Sequence, residues 1–270
     1  MTTFKTNTAT SAKGGMITYD TIGNGPGLII VHGALSDIEE YTDLAIALSG
    51  NFTVHLMQRR DRHGQEAHYN IKDDCNDVMA VQQATGATFL FGHSYGGLVA
   101  LEAAVNGHPF KKISVYEPGV SLHGNWKWLN SYETAMAHQQ YRKAFTVFVQ
   151  GMGHSPLSNA PSWLAGFVLR LAIKGKKWEL KKRLLASNFR EHLEVKRLEG
   201  SYRKYESLSV PVLLMGGKAS PGFISDTLNV LKQTIPRAEV LLLPALHHLS
   251  PTNNEAPAIV AENLLTFFKE

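Results

Sequence analysis

Cysteine is almost absent from this 270-residue sequence, with Cys75 as its single representative. A lone thiol forms no intramolecular disulfide, so nothing in the chain calls for an oxidising compartment, and a cytoplasmic setting is the expectation. Long apolar runs are missing as well. No segment has the unbroken length of a membrane span, and the Thr-rich start, residues 1–15, has no apolar stretch behind a basic segment of the kind a signal peptide needs. Charge of one sign is in short supply. Lys and Arg total 27 against 23 Asp and Glu, a formal excess of +4, too small to point to a nucleic-acid partner. That excess is concentrated in Lys174, Lys176, Lys177, Lys181, Lys182 and Arg183, interleaved with Trp178, Leu180, Leu184 and Leu185. A patch for an anionic surface or substrate and a solvated helix face both fit this pattern, and the solvated face is the reading adopted. Cofactor signatures are missing too: no HExxH, no Cys/His cluster, no GxxxxGK[ST], and no GxGxxG following a strand. A metallohydrolase is therefore not expected, and neither a metal nor an organic cofactor is required.

With 44% hydrophobic side chains, the chain can bury a full core as one domain carrying one sizeable insertion. Apolar β-branched runs alternate with helical patterns. Strands are expected at residues 17–22, 28–31, 52–57, 88–91, 112–116, 210–215 and 239–243. Helices are expected at 39–48, 73–85, 98–105, 223–231 and from about Glu255, where Ile259, Val260, Leu264, Phe267 and Phe268 share one face. Such alternation predicts a mainly parallel sheet with helices on both faces, because parallel neighbours require crossover connections. Between Pro118 and about Leu208 the rhythm breaks. Helical patterns at 132–149, 162–173 and 178–198 predict an α-helical insertion over 118–208, leaving 1–117 and 209–270 as the α/β core.

Gly92-His93-Ser94-Tyr95-Gly96 falls between an apolar strand and an amphipathic helix. This is the setting of a nucleophile elbow, in which a serine sits on a strained turn and side chains at the glycine positions would collide with neighbouring backbone. Ser94 would then stand at a helix N-terminus, where backbone N–H groups and the positive dipole end face developing negative charge. Val31-His32-Gly33-Ala34 follows the most hydrophobic early strand, and His32 reads as structural, holding its loop through its ring nitrogens.

Together, His32-Gly33, the GxSxG at 92–96, a helical insertion and a late histidine after the last strand make the chain resemble the α/β-hydrolase superfamily over nearly its whole length. Arg59 to Gly64 is similar to the Arg-Gly turn of that family, with the order scrambled as Arg59-Arg60-Asp61-Arg62-His63-Gly64. The resemblance implies an α/β-hydrolase fold with an α-helical cap, and an oxyanion hole built from the Ala34 and Tyr95 N–H groups. It also implies a histidine base in Leu243-Pro244-Ala245-Leu246-His247-His248, where the family's spacing falls on His248, with His247 one residue away as the alternative. A serine hydroxyl needs such a base, and the base needs a carboxylate to fix its tautomer. The commonest family position for that acid, after the strand at 210–215, reads Gly216-Gly217-Lys218-Ala219-Ser220-Pro221 and holds no carboxylate. A subset of the family places the acid after the strand preceding the insertion. Here that residue is Glu117, with Asp226 as the alternative.

The expected function is a serine hydrolase cleaving a small, largely apolar ester through Ser94, His248 and Glu117, with a small molecule as its only implied partner. Other chemistries of the fold remain alternatives: lactone or carbon–carbon hydrolysis, acyl transfer, or low-turnover ligand sensing. The insertion's Trp126, Trp128, Phe145, Phe148, Trp163 and Phe167 are expected mostly to form its own core. The sequence carries no signal for oligomeric state.

Overall fold

The computed structural model describes residues 3–12, 14–60, 69–105 and 107–270. Its strands are β1 (Lys5–Thr10), β2 (Met16–Ile22), β3 (Gly27–Val31), β4 (Thr53–Met57), β5 (Phe89–His93), β6 (Lys112–Tyr116), β7 (Val212–Gly217) and β8 (Ala238–Leu243). Among the described residues they form one sheet in the order β1-β2-β4-β3-β5-β6-β7-β8. β1 and β2 run antiparallel to their neighbours, and every pairing from β4 to β8 is parallel. The helices are α1 (Thr42–Leu48), α2 (Ile71–Thr85), α3 (Tyr95–Ala104), α4 (Lys127–Ala137), α5 (Tyr141–Met152), α6 (Ser162–Ala172), α7 (Gly175–Arg197), α8 (Gly222–Thr234) and α9 (Pro257–Lys269). None is long and apolar enough to cross a membrane.

The pleat explains the continuous apolar runs of the central strands. Ile29, Val31, Leu90, Ile113, Val115, Val212 and Leu214 face α2, α3 and α8 on one side of the sheet. Leu28, Ile30, Phe89, Phe91, Leu213 and Met215 face α1 and α9 on the other. A strand covered on both faces has no solvent side to leave polar. On the second face, Phe52, Phe89 and Phe268 pack their rings with centroids 4.9 to 6.0 Å apart, fixing α9 to the sheet. α2 starts where the Asn70 side chain accepts from the Lys72 N–H, and it stops at Gly86, whose φ of 67° places it in the left-handed region.

Two local features differ from expectation. The Thr-rich start is a strand: β1 pairs antiparallel with β2, Ala9 opposite Ile17, as a mostly exposed edge where β-branched threonines fit the pleat. The helical pattern at 132–149 is two helices, broken at Gln139, whose φ is 54°. Between β6 and β7 the chain contributes α4 to α7 and no strand, and these helices share an apolar cluster of Tyr132, Phe145, Leu169, Leu184 and Leu185. Trp128 and Phe148 pack against that cluster, whereas Trp126 packs against the core of the sheet and Trp163 and Phe167 are exposed. Of the turn at Arg59 to Gly64, residues 61–64 lie outside the described residues.

Candidate active site

Ser94 occupies the junction of β5 and α3 with φ 54° and ψ −122°. A non-glycine residue is rarely held there, and the surrounding backbone enforces it. A Cβ on Gly92 would meet the Gly96 carbonyl oxygen at 2.3 Å, and one on Gly96 would meet the Val31 carbonyl oxygen at 2.2 Å. Both glycines are thus required by close approach of backbone to backbone. The Ser94 carbonyl accepts from the N–H groups of Gly97, Leu98 and Gly119, anchoring the turn from within the helix and from the chain after β6.

His248 lies in the loop after β8, and its Nε2 is 3.0 Å from Ser94 Oγ. Its Nδ1 is 2.8 Å from Glu117 Oε2. Glu117 directly follows β6, has φ 43° and is 1% exposed. Its other oxygen, Oε1, accepts from Gly217 N at 2.9 Å and from Ser220 Oγ at 2.6 Å. Burial alone would raise the Glu117 carboxyl, but the hydrogen bond and charge of His248, with the Ser220 and Gly217 donors, outweigh it and hold the group below the ordinary glutamate value. The structure therefore brings Ser94, His248 and Glu117 into one hydrogen-bonded line. Asp226 is exposed on α8 and does not join it. His247 turns outward, with Nε2 3.3 Å from Glu255.

The loop after β3 closes on Ser94 from the other side. A Cβ on Gly33 would come within 3.2 Å of the Ser94 Cβ. Among the described residues, the N–H groups of Ala34 and Tyr95 donate to no protein atom, which leaves two backbone donors beside the serine. His32 fixes this loop as expected: its Nε2 accepts from Arg59 N at 3.2 Å, so its Nδ1 carries the proton and donates to the Gly33 carbonyl at 3.0 Å. Beneath it the Arg59 side chain, fully buried, binds Asp74 and Glu191 and lies 4.5 Å from the centre of the Tyr95 ring.

Three residues beyond those read from the sequence belong to the site. Tyr41 accepts from Gly33 N at 3.1 Å and donates to His93 Nδ1 at 2.6 Å. His93 Nε2 then donates to the His248 carbonyl at 2.8 Å. One chain of hydrogen bonds thus ties the Gly33 loop to the His248 loop through the residue preceding Ser94. Burial, reinforced by the neighbouring His248, holds His93 far below the ordinary histidine value, so it is neutral and suited to donate on one side and accept on the other. The third residue is His154, between α5 and α6, whose ring centroid is 4.3 Å from that of His248. Burial, followed by the charge of His248, lowers it to about 3. Its Nδ1 is buried and without a hydrogen-bond partner. A lone histidine after a helix-capping glycine gives no periodic signal, so only the tertiary structure shows it. Glu117, His154 and His248 offer donor atoms within 4.8 Å of one another.

A sheet of this order, a serine on a strained strand-to-helix turn and a histidine after the last strand invite comparison with known folds. A hydrolase from Sphaerobacter thermophilus DSM 20745, described as alpha/beta, superposes with a TM-score of 0.82 at 27% identity, covering 97% of this chain and 100% of that one. An enol-lactonase from Burkholderia xenovorans LB400 gives 0.72 at 18% identity, covering 98% and 100%. A thermophilic esterase from Thermogutta terrifontis gives 0.74 at 17%, covering 98% of each. At such identities the last two speak for the fold alone. Among curated proteins, a probable non-canonical nonribosomal peptide synthetase from Salinispora arenicola (strain CNS-205) is 29% identical over 146 residues. That match spans 50% of this chain and only 2% of the synthetase. The model of the alpha/beta hydrolase family matches residues 28–263, from β3 into α9 and across every element that builds the site, and the chain belongs to that family.

Proposed function

We propose that the protein is a serine hydrolase cleaving a small, largely apolar ester, with Ser94 as nucleophile, His248 as base and Glu117 as the acid that orients it. The observation that carries this reading is the line Ser94 Oγ to His248 Nε2, 3.0 Å, and His248 Nδ1 to Glu117 Oε2, 2.8 Å, ending on a buried carboxylate with two further donors. In that arrangement Glu117 keeps the proton on Nδ1, so Nε2 is free to accept from the serine hydroxyl. Ser94 Oγ attacks the ester carbonyl as its proton passes to Nε2, and the oxyanion is held by the Ala34 and Tyr95 N–H groups at the α3 N-terminus. Nε2–H then protonates the departing alcohol, leaving Ser94 acylated. A water deprotonated by the same nitrogen hydrolyses the acyl-enzyme and restores the serine.

Residues 118–208 act as the cap of this site, and 1–117 with 209–270 as its α/β core. His154 supports the cap assignment, since it comes from the insertion and lies on the ring of the base. The apolar substrate class is supported by Phe223, which packs edge-on against His154, and by Leu249 beside the base; both are partly exposed.

A fluorophosphonate reacts with activated serines, and mass spectrometry is expected to find it on Ser94. Sustained turnover of p-nitrophenyl esters is expected to vanish in Ser94→Ala. An unlabelled Ser94, or a single stoichiometric acylation without turnover, would overturn the proposal.

A further inference from the structure

The outer face of α6 is an anomaly for a surface helix. Ala165 and Leu169 are buried toward α5, where Gly166 approaches Thr146. The opposite side exposes Trp163, Phe167 and Leu171 at 75%, 57% and 52%, spaced i, i+4 and i+8 so that they form one stripe, with Val168 beside it. Scattered apolar residues on a surface need no explanation, but a contiguous stripe of large ones does.

The charge around the stripe says what covers it. Between Glu133 and Glu179 the sequence contains no acidic residue, and it carries Arg142, Lys143, Arg170 and Lys174 around α5 and α6. Arg142 is held in place, stacked 3.5 Å over the Trp178 ring and donating to the Ile173 carbonyl. Arg170 and Lys174 are exposed at the end of α6. Lys176 and Lys177, further on, border a groove they share with Glu39 and Glu40, which leaves the first four as the cations of this face. An apolar stripe flanked by a surplus of cations, with Glu179 near Arg142 as acidic counterpart, suits a surface that offers hydrocarbon and negative charge together.

We propose that α6, with Arg142, Lys143, Arg170 and Lys174, is a docking face for an anionic lipid bilayer. The helix lies in the headgroup region with Trp163, Phe167 and Leu171 inserted and the cations at the level of the lipid phosphates. A second copy of this chain is the weaker occupant. Pairing through the same stripe would gather two sets of these cations with no acidic residue from this stretch to oppose them. The location suits an enzyme that takes substrate from a membrane. Residues 153–161 join α5 to α6 and carry His154 against the ring of His248, so the lipid-facing helix is one short segment from the base.

Co-sedimentation of the full chain with phosphatidylcholine vesicles, with and without equimolar phosphatidylglycerol, tests this independently of any activity. Binding is expected with the anionic vesicles, is expected to fall with added salt, and is expected to be slight with phosphatidylcholine alone. Each cation contributes on the order of fivefold near such a surface, so Arg170→Glu with Lys174→Glu should lower partitioning by at least about 25-fold. Trp163→Ser with Phe167→Ser should lower it at least about tenfold, and the fluorescence of Trp163 should shift to the blue on binding in the wild type alone. All four residues are exposed, so the variants should melt like the wild type and label with fluorophosphonate at the same rate. Equal binding to both vesicle types would overturn the proposal. So would no binding at all, or a solution dimer that the serine variant dissociates.

Discussion

Replacing Glu117 by glutamine tests the chemistry with the least disturbance of the fold. Oε1 accepts two donors, the Gly217 N–H and the Ser220 hydroxyl. The Gly217 N–H can only donate, so the glutamine carbonyl oxygen must take this place and the NH2 group must face His248 Nδ1. An NH2 group there needs an acceptor, which forces the His248 proton onto Nε2, 3.0 Å from Ser94 Oγ. The base then presents a proton where it should present a lone pair. The corresponding acid-to-amide change in the serine-protease triad costs about 10⁴ in kcat. A loss of similar size is expected here, about 5 kcal/mol of transition-state stabilisation. Two of the three hydrogen bonds to the side chain survive unchanged and the third is kept with its direction reversed, so the melting temperature should stay within a few degrees of the wild type. Glu117→Ala strands both donors instead, and should lose stability by about 1–3 kcal/mol as well as activity. Steady-state ester hydrolysis, fluorophosphonate labelling rates and thermal melts on the three proteins check this. A Glu117→Gln enzyme within tenfold of wild-type kcat would refute the reasoning and remove Glu117 from the triad.

Other perturbations have outcomes of known direction. Gly96→Ala puts a methyl 2.2 Å from the Val31 carbonyl and 2.5 Å from that of His32, both backbone. It should therefore abolish soluble expression or lower the melting temperature by more than about 10 °C, because neither strand nor helix can give way cheaply. Arg59→Met removes the cation between the buried Asp74 and Glu191 carboxylates and should cost about 3–5 kcal/mol in urea unfolding; adding Asp74→Asn should restore part of it. Burial lowers His154 to about 3 and His55 to about 4, and lowers His93 and His192 as well. The unfolded chain binds protons at these residues below about pH 6.5 while the folded chain does not, so their stabilisation is complete above pH 6.5 and is lost as pH falls toward the folded values. Unfolding free energy should thus decline between pH 6.5 and 4, by at most about 1.4 kcal/mol per pH unit for each histidine. His154→Phe should make the decline shallower, and a stability that rises on acidification would contradict the assignment.

The alternation of strand and helix was legible because each central strand is covered on both faces. Leu28 to Val31 and Val212 to Met215 then read as unbroken apolar runs, while the helices between them keep one polar side. β1 was not legible, since a strand at a sheet edge needs only one partner, and its threonines give no alternation of apolar and polar. The break at Gln139 escaped for a different reason. Both helices, α4 and α5, bury residues in the same cluster, so the apolar period runs on while the chain reverses. Tyr41, His93 and His154 carry no sequence signal of their own, because their roles arise from contacts between residues 8 to 155 positions apart.

The proposed acid, Glu117, is the instructive case. Read along the sequence, Glu117 is supported chiefly by the lack of a carboxylate after β7. In three dimensions the two positions are neighbours, since the Glu117 N–H donates to the Met215 carbonyl and the ends of β6 and β7 lie side by side near the loop that carries His248. An acid at the end of either strand can reach His248 Nδ1, but a carboxylate approaching from β6 arrives with one oxygen turned toward the β7 loop. That loop answers with donors: the Gly217 N–H and the Ser220 hydroxyl occupy Oε1 and leave Oε2 for the histidine. Gly217 is needed for this fit, because a Cβ there would meet the Leu246 carbonyl oxygen at 2.0 Å and push away the loop that carries His248. The Gly216-Gly217-Lys218-Ala219-Ser220 sequence is therefore the complement of Glu117, and moving the acid to β7 would require exchanging both ends together.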